Sequence, residues 1–330
     1  MNESIDSLKI FGKSFYWAGM ILPKHYLQRS ADLYYFCRKL DDIADQKKNK
    51  KNLIKLESIK KFIIQDNYTE LSNINIYVPN FLKKKQNAKK AILDLIDGLI
   101  FDQGNVRVKN INELIIYCYR VAGTVGILMC IALDCEDKEA KNFAIDLGIA
   151  MQLTNIIRDV LEDAKMDRRY LPSSITKDIL PINILTISEK KNYNVNDYKL
   201  IINALEKLIS ISEEYYISGK KGLHFLPFKI RLSIAVAANV YREIGIKVKK
   251  KSFDWISGRE YTSIFTKIKI TIYSIFYEIL FYRNRKPNHD NKLHHPIKEA
   301  QGTHRDQQGR SNVSDSASES ISFDPISPES

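Results

Sequence analysis

The chain has 330 residues, 44% of them hydrophobic, enough for one large domain or two ordinary ones around a sizeable core, which excludes a disordered protein. Its 13 glycines and 9 prolines offer few sharp turns and count against a many-stranded β fold. A net charge of +12 suits either nucleic acid or anionic lipid and phosphorylated substrates, but the lysines lie in scattered runs such as 47–51 and 83–85 without a nucleic-acid motif, so no nucleic-acid partner is expected.

The first twelve residues carry acids and no continuous apolar core, so no signal peptide is expected. Residues 13–46 have apolar positions at helical spacing with one break at Pro23, and 67–79 read as a loop. Residues 112–163 are nearly free of proline and dense in Leu, Ile, Ala and Met, which predicts a long helical body. Within them, the apolar run 121–133 is too short to span a bilayer and predicts a buried helix. Residues 171–185 read as a second loop, and 196–250 as a third helical body interrupted at 222–227. No period-2 alternation is long enough to build a sheet, so the expected fold is all-α.

After residue 285 the composition changes. Residues 286–330 hold eight serines, four of the six histidines and seven acids against five Lys plus Arg. Such a segment cannot bury enough apolar surface to offset its ordering entropy, so a catalytic-size body at 1–285 and a disordered polar tail at 286–330 are expected. Cys37, Cys118, Cys130 and Cys135 form no C-x-x-C pair and read as reduced thiols in a cytosolic protein. No phosphate-cradling glycine motif is present, and the body's two histidines, His25 and His224, have no triad context.

Two stretches carry the chemistry. On a helix, Asp41 and Asp45 are four residues apart and share a face, with Arg38 one turn before them. Like charges at that spacing repel unless a cation lies between them, and a hard divalent ion such as Mg²⁺ fits oxygen ligands. Asn155, Asp159 and Asp163 form a second stripe at successive fourth positions, flanked by Leu153, Ile156, Ile157 and Val160. Polar groups on a helix otherwise fit for burial are costly without a ligand. Two such helices facing each other would hold metal ions and a diphosphate, with Arg38, Arg158 and Arg168 available for phosphate oxygens.

The surrounding residues resemble one family. Asp41-Asp42-x-x-Asp45 also matches chain-elongating prenyl synthases, but Lys13-Ser14-Phe15-Tyr16, Tyr34-Tyr35-Phe36-Cys37-Arg38 and the run Tyr117 to Gly126 resemble the squalene/phytoene synthase family. So do Gln152 to Asp159, Arg169-Tyr170-Leu171-Pro172 and, near the end of the body, Val240-Tyr241-Arg242-Glu243. The resemblance covers about residues 8–270 and is closest to the bacterial phytoene synthases. It implies a single-domain isoprenoid-synthase-type helical bundle around a central cavity. By position it implies that Asp41, Asp45, Asn155, Asp159 and Asp163 bind metal, and that Arg38, Tyr34, Tyr117, Arg158 and Tyr241 serve catalysis. Phe15, Val121, Ala122, Gly126 and Gln152 would line the prenyl chains. Leu161 departs from the family's usual small or polar residue there and is expected to alter packing rather than chelation.

The implied reaction is a head-to-head condensation of two geranylgeranyl diphosphates, through prephytoene diphosphate, to phytoene with release of diphosphate. Metal and arginines would draw charge onto the leaving diphosphate, aromatic faces would stabilise the allylic cation, and a dry cavity would exclude water. Mg²⁺, with Mn²⁺ as substitute, is the expected cofactor, and no NADPH is expected. A farnesyl diphosphate-using dehydrosqualene or squalene synthase, and a non-catalytic lipid-binding or assembly protein on the same fold, remain as alternatives. The product's insolubility implies a cytoplasmic protein peripherally associated with the inner face of the membrane, as a monomer or weak homodimer. Residues 261–282, rich in Ile, Phe and Tyr with Lys267, Lys269 and Arg283, could lie at a lipid surface or pack as the last helix of the bundle.

Overall fold

The computed structural model describes residues 3–46, 50–189, 194–280 and 286–298. Contacts divide the chain into one unit at Met1–Asp290 and a second at Asn291–Ser330. Among its described residues the regular elements of the first unit are all helices, and its one β-type pairing is an isolated parallel bridge between Arg107 and Arg169.

Helices α1 (Glu3–Phe11) and α2 (Lys13–Gly19) lead into α3 (Lys24–Ala44), which starts immediately after Pro23. A helix's first turn needs no amide donor, so proline fits there. α4 (Lys50–Ile64), α5 (Tyr68–Asn73) and α6 (Gln86–Phe101) follow. α5 falls in the 67–79 segment read as a loop, because the Asn67 side chain accepts from the Glu70 amide at 3.2 Å and starts a short helix. α7 (Ile111–Cys118) passes through a π-helical turn at Tyr119–Gly123 into α8 (Thr124–Ala132).

The 112–163 stretch is not one body. It breaks at 133–139, where Asp134 takes a left-handed backbone with φ 52°, and resumes as α9 (Ala140–Arg158) and α10 (Val160–Lys165). The 171–185 segment, read as a loop, holds α11 (Ser173–Thr176) and the start of α12 (Pro181–Ser188). α13 (Val195–Lys221), a 3-10 turn at Gly222–Phe225 and α14 (Phe228–Lys250) reproduce the expected interruption, and α15 (Ile264–Leu280) comes last.

α3, α4, α6 and α8 share a core that includes Leu40, Leu56, Ile59, Leu95 and Leu128. α9 packs against α8, α13, α14 and the π-helical turn. Two glycines permit this closeness. A Cβ on Gly126 would lie 2.2 Å from the Ala144 carbonyl oxygen, and one on Gly148 would lie 2.3 Å from that of Ala122. The continuous run Ile111–Ala132 is long and apolar enough to cross a membrane by length and composition, yet 56% of its 18-residue apolar window is buried inside the protein. It is a core helix, as the 121–133 pattern predicts.

The first unit runs past the compositional break at 285/286. Lys286 pairs with Glu139 at 3.1 Å, and His289 hydrogen-bonds the buried Asp146 at 2.9 Å, so these residues belong with the body rather than a free tail. In the second unit the described residues form a 3-10 turn at Asn291–His294 and one helical turn at 295–298. The rest of the segment expected to be disordered, 299–330, lies outside the described residues.

Candidate active site

A cavity of about 360 Å³ runs through the first unit, within the size range of small-molecule sites. On α3 it is lined by Leu27, Ser30, Leu33, Tyr34, Arg38 and Asp41, and on α9 by Ala144, Leu147, Met151, Gln152 and Asn155. Each set recurs every three or four residues and so lies on one helix face. Both sets change from apolar to polar toward the C-terminus of their helix. Leu27 and Asp41, fourteen residues apart, are separated by roughly 21 Å of helix. The cavity is therefore apolar along most of its length and ionic at one end, where the partly negative ends of α3 and α9 lie.

That ionic end concentrates carboxylates. Asp41 is exposed and lines the cavity, and desolvation by the protein packed around it, together with Asp45, Asp102 and Asp42, pushes it up to about 8 against the pull of Arg38. Asp163 is raised well above the usual carboxylate range by burial and then by Asp159 and Asp102. Buried Asp102 is pushed up to about 6 by desolvation, although Arg168 and two tyrosines oppose this. Its oxygens accept from Tyr117 Oη at 3.0 Å and Tyr170 Oη at 2.6 Å, and the two tyrosine rings stack at 4.7 Å.

Asp159 has the opposite environment. Arg158 donates through Nε and Nη2 to its two oxygens, each at 2.6 Å, and Arg259 does the same at 2.7 and 2.5 Å. Burial would raise this carboxyl, but the two guanidiniums override it and hold it below its usual value. Helix α9 ends at Arg158, yet Asp159 N still donates to Asn155 O at 2.9 Å and Asp163 N to Asp159 O at 2.8 Å. The one-in-four stagger of the stripe therefore survives the break. Asp45 caps the C-terminus of α3; Arg168 donates to its Oδ1 at 2.9 Å and to the Ala44 carbonyl at 2.8 Å, offsetting the helix's negative end.

The residues present fit a divalent cation. Asn155 Nδ2 donates to Gln152 Oε1 at 3.1 Å, but its buried Oδ1 accepts from no group among the described residues. An orphaned buried oxygen costs free energy unless something occupies it. Asn155 and Asp41 thus offer oxygen donors on the cavity wall, and Asp163, beside Arg168 and Tyr170 in a small adjoining pocket, shares with Asp41 the repulsion of Asp102, the condition a hard cation relieves. Asp45 and Asp159 are the two members of the expected set already engaged by arginine.

Of the other expected residues, Phe15, Tyr34, Arg38, Val121, Ala122, Gly126, Gln152 and Tyr241 all line the cavity. Phe15 stacks on Tyr241 with ring centroids 5.0 Å apart and tilts against Tyr34 at 6.5 Å, giving an aromatic wall beside the ionic end. Val121 and Ala122 reach the wall from the π-helical turn; such turns recur at functional sites. Tyr117 does not line the cavity: it is buried and serves Asp102. Arg158 is not among the cavity residues either, being turned onto Asp159. Leu161, 9% exposed, is buried. Sequence reasoning missed Asp102 and Arg259, and gave Tyr170 no role. Arg259 lies in the segment after α14, one hundred positions from Asp159, with no periodic pattern to mark it. Neither His25 nor His224 lines the cavity.

The squalene/phytoene synthase family profile matches residues 8–266. A phytoene synthase of Pseudescherichia vulneris is 39% identical over 179 residues, about half of each chain (53% of this one and 55% of the other). The 15-cis-phytoene synthase of Pantoea ananas is 27% identical over 82% of this chain and 89% of its own. Among solved structures, a dehydrosqualene synthase in complex with ligand superposes with a TM-score of 0.70 at 26% identity, covering 84% of this chain and 96% of that one.

Proposed function

The chain belongs to the squalene/phytoene synthase family, and on that premise we propose that it joins two geranylgeranyl diphosphates head to head, through prephytoene diphosphate, to give phytoene. The coarser activity is that of its relatives: it is a prenyltransferase that condenses prenyl diphosphates in carotenoid biosynthesis. The observation that carries the finer reading is the polarity gradient of the cavity, with Arg38, Asp41 and Asn155 at one end and a long apolar wall behind them.

Family members depend on a divalent metal. Here Mg²⁺ would be held by Asp41, Asn155 and Asp163, joined by Asp45 and Asp159, and when bound it would neutralise charge on the leaving diphosphate. Arg38, which faces the cavity, and Arg158 and Arg259, which flank Asp159, supply the fixed positive charge for the diphosphate oxygens. As the carbon–oxygen bond of the first substrate breaks, the stacked rings of Phe15 and Tyr241 and the nearby Tyr34 present π faces to the allylic cation. The double bond of the second substrate then attacks this cation, and loss of a proton closes the cyclopropane of prephytoene diphosphate. Its ionisation releases the second diphosphate, and a further proton loss gives phytoene, while apolar side chains such as Leu33, Met151 and Ala237 keep water from capturing the cations.

A second reading has its own support. The superposed dehydrosqualene synthase favours two farnesyl diphosphates as substrates. Purified protein with Mg²⁺ and each prenyl diphosphate, without NADPH, followed by mass identification of the hydrocarbon, separates the two. Phytoene from the C20 substrate is the expected product. Dehydrosqualene from the C15 substrate alone would transfer the assignment, and a reduced hydrocarbon formed only with NADPH would move it to the squalene branch.

A further inference from the structure

Helix α15 is amphipathic in the inverted sense. Its inward stripe is Lys267, Thr271, Ser274 and Glu278, at spacings of four, three and four residues. Each finds a polar partner in α2 or α14: Lys267 Nζ donates to Lys13 O at 3.4 Å, and Trp17 Nε1 to Thr271 Oγ1 at 3.0 Å. Asn239 Nδ2 donates to Ser274 Oγ at 3.0 Å, and Glu278 pairs with Arg231 at 2.9 Å. Lys267, in a segment for which the sequence leaves lipid surface and bundle packing both open, therefore points inward; Arg283 lies outside the described residues. The outward stripe is Phe265, Ile268, Ile272, Phe276 and Ile279, with Phe265 83% exposed and Phe276 61%. A helix on a water-facing surface has the reverse arrangement, polar outward and apolar inward. Ordered aromatic and aliphatic side chains along a whole helix mark an interaction surface.

We infer that the outer face of α15 docks flat onto an anionic phospholipid bilayer. The charges around it fit that partner. The only acid of α15, Glu278, is buried on Arg231, and its one exposed charge is Lys269. Lys13 lies beside the inward Lys267, and Lys247 Nζ donates to Tyr261 O at 2.9 Å where the chain enters α15. Lys13, Lys247 and Lys269 thus give the apolar face a cationic rim, on a chain of net charge +12. Anionic headgroups attract such a rim, whereas a second copy docked by the same face would bring like charges together. Beneath the helix, Ala18 and Ala237 belong both to the cluster that receives Ile270 and Ile275 and to the cavity wall. Resting on the proposed function, this puts the lipid phase one side-chain layer from the apolar part of the cavity that holds a water-insoluble product.

The test is vesicle co-sedimentation of the full chain, without substrate, so that it stands apart from the catalytic assignment. The vesicles are phosphatidylcholine alone or phosphatidylcholine with phosphatidylglycerol. The wild type should pellet with the anionic vesicles and more weakly with the neutral ones. The variant Phe265→Ser/Ile272→Ser/Phe276→Ser should lose more than about tenfold in partitioning. Lys269→Glu should reduce the preference for anionic vesicles a few-fold. Phe265→Ser alone, at the most exposed position, carries the test if the triple variant melts early. Absence of wild-type binding, or equal binding by wild type and variants, overturns the inference. So does a vesicle-free dimer of the wild type that the triple variant dissolves, since the face would then belong to a second copy.

Discussion

Asp41 and Asp159 are the same residue in closely similar local settings. Each lies at the C-terminal end of a helix, and each has another aspartate four residues on. Their electrostatics are nonetheless opposite. Asp159 is gripped by two guanidiniums and held ionised, whereas Asp41 faces three other carboxylates with Arg38 as its main counter-charge and is pushed up to about 8. Spacing along the chain determines where a carboxylate sits; groups supplied by other segments determine what charge it carries.

The strongest way to break this comparison is to remove each acid in turn. Asp41→Ala and Asp159→Ala should each lower turnover by about a thousandfold or more, since each takes a charged group from where transition-state charge develops. Steady-state rates at saturating Mg²⁺ check this, and near-normal activity in either variant would remove that residue from the site. The two should differ in melting temperature. Asp159→Ala leaves two facing guanidiniums unpaired and should melt lower, whereas Asp41→Ala relieves repulsion and should not.

Next in size, Arg259→Ala should cost roughly 10- to 100-fold in activity, the usual range for a group that supports a ligand. Arg259→Lys should recover only part of it, because a lysine cannot reproduce the two-pronged contact. Recovery to wild-type rates would show that simple charge suffices.

Tyr117→Phe should have a milder effect, roughly tenfold or less on rate. Removing its hydroxyl from Asp102 withdraws an interaction that lowers that carboxyl, so Asp102 should titrate above its present value of about 6. The acid limb of the pH–rate profile should move to higher pH. An unmoved limb would separate Asp102 from the chemistry.

The smallest effect concerns stability. A carboxyl raised in the folded state binds its proton more tightly there than when unfolded. The stability this lends is complete below the unfolded value of about 4, falls as pH rises, and is gone above about 8. Asp41→Asn cannot ionise and should escape that loss. In chelator, its melting temperature should match wild type near pH 4, draw ahead by a few degrees as pH rises, and hold a constant lead above pH 8. A lead of the same size at every pH would assign the difference to packing.

The carboxylate stripes were legible in the sequence because helical spacing alone places Asn155, Asp159 and Asp163, and backbone hydrogen bonds preserve that spacing across the end of α9. Much of the cavity wall was legible too, since Phe15, Tyr34, Val121 and Gln152 lie within contiguous motifs. Arg259 and Asp102 were not, because they arrive from distant segments and no local pattern announces their partners. Tyr117 reads as catalytic from the sequence because an aromatic in a motif looks the same whether it faces substrate or a buried carboxylate. For α15 the sequence shows an apolar, aromatic composition but not which side faces inward. That depends on Lys13, Trp17, Arg231 and Asn239 waiting elsewhere to satisfy Lys267, Thr271, Glu278 and Ser274.

The π-helical turn at Tyr119–Gly123 has a consequence for how this wall can vary. Such a turn holds one residue more than an α-helical turn, so all of α8 is rotated by about 100° relative to a straight continuation of α7. That rotation decides that Gly126 and Met129 line the cavity while Leu128 and Ile131 enter the core shared with α3 and α6. Removing a single residue from the turn would shift every later residue into its predecessor's place and bring Ile127 against the Ala144 carbonyl, where only glycine's hydrogen fits. The wall can therefore change by substitution at Val121, Ala122 or Met129, but not by loss of one residue from the turn, which acts as a phase setting for the helix that follows.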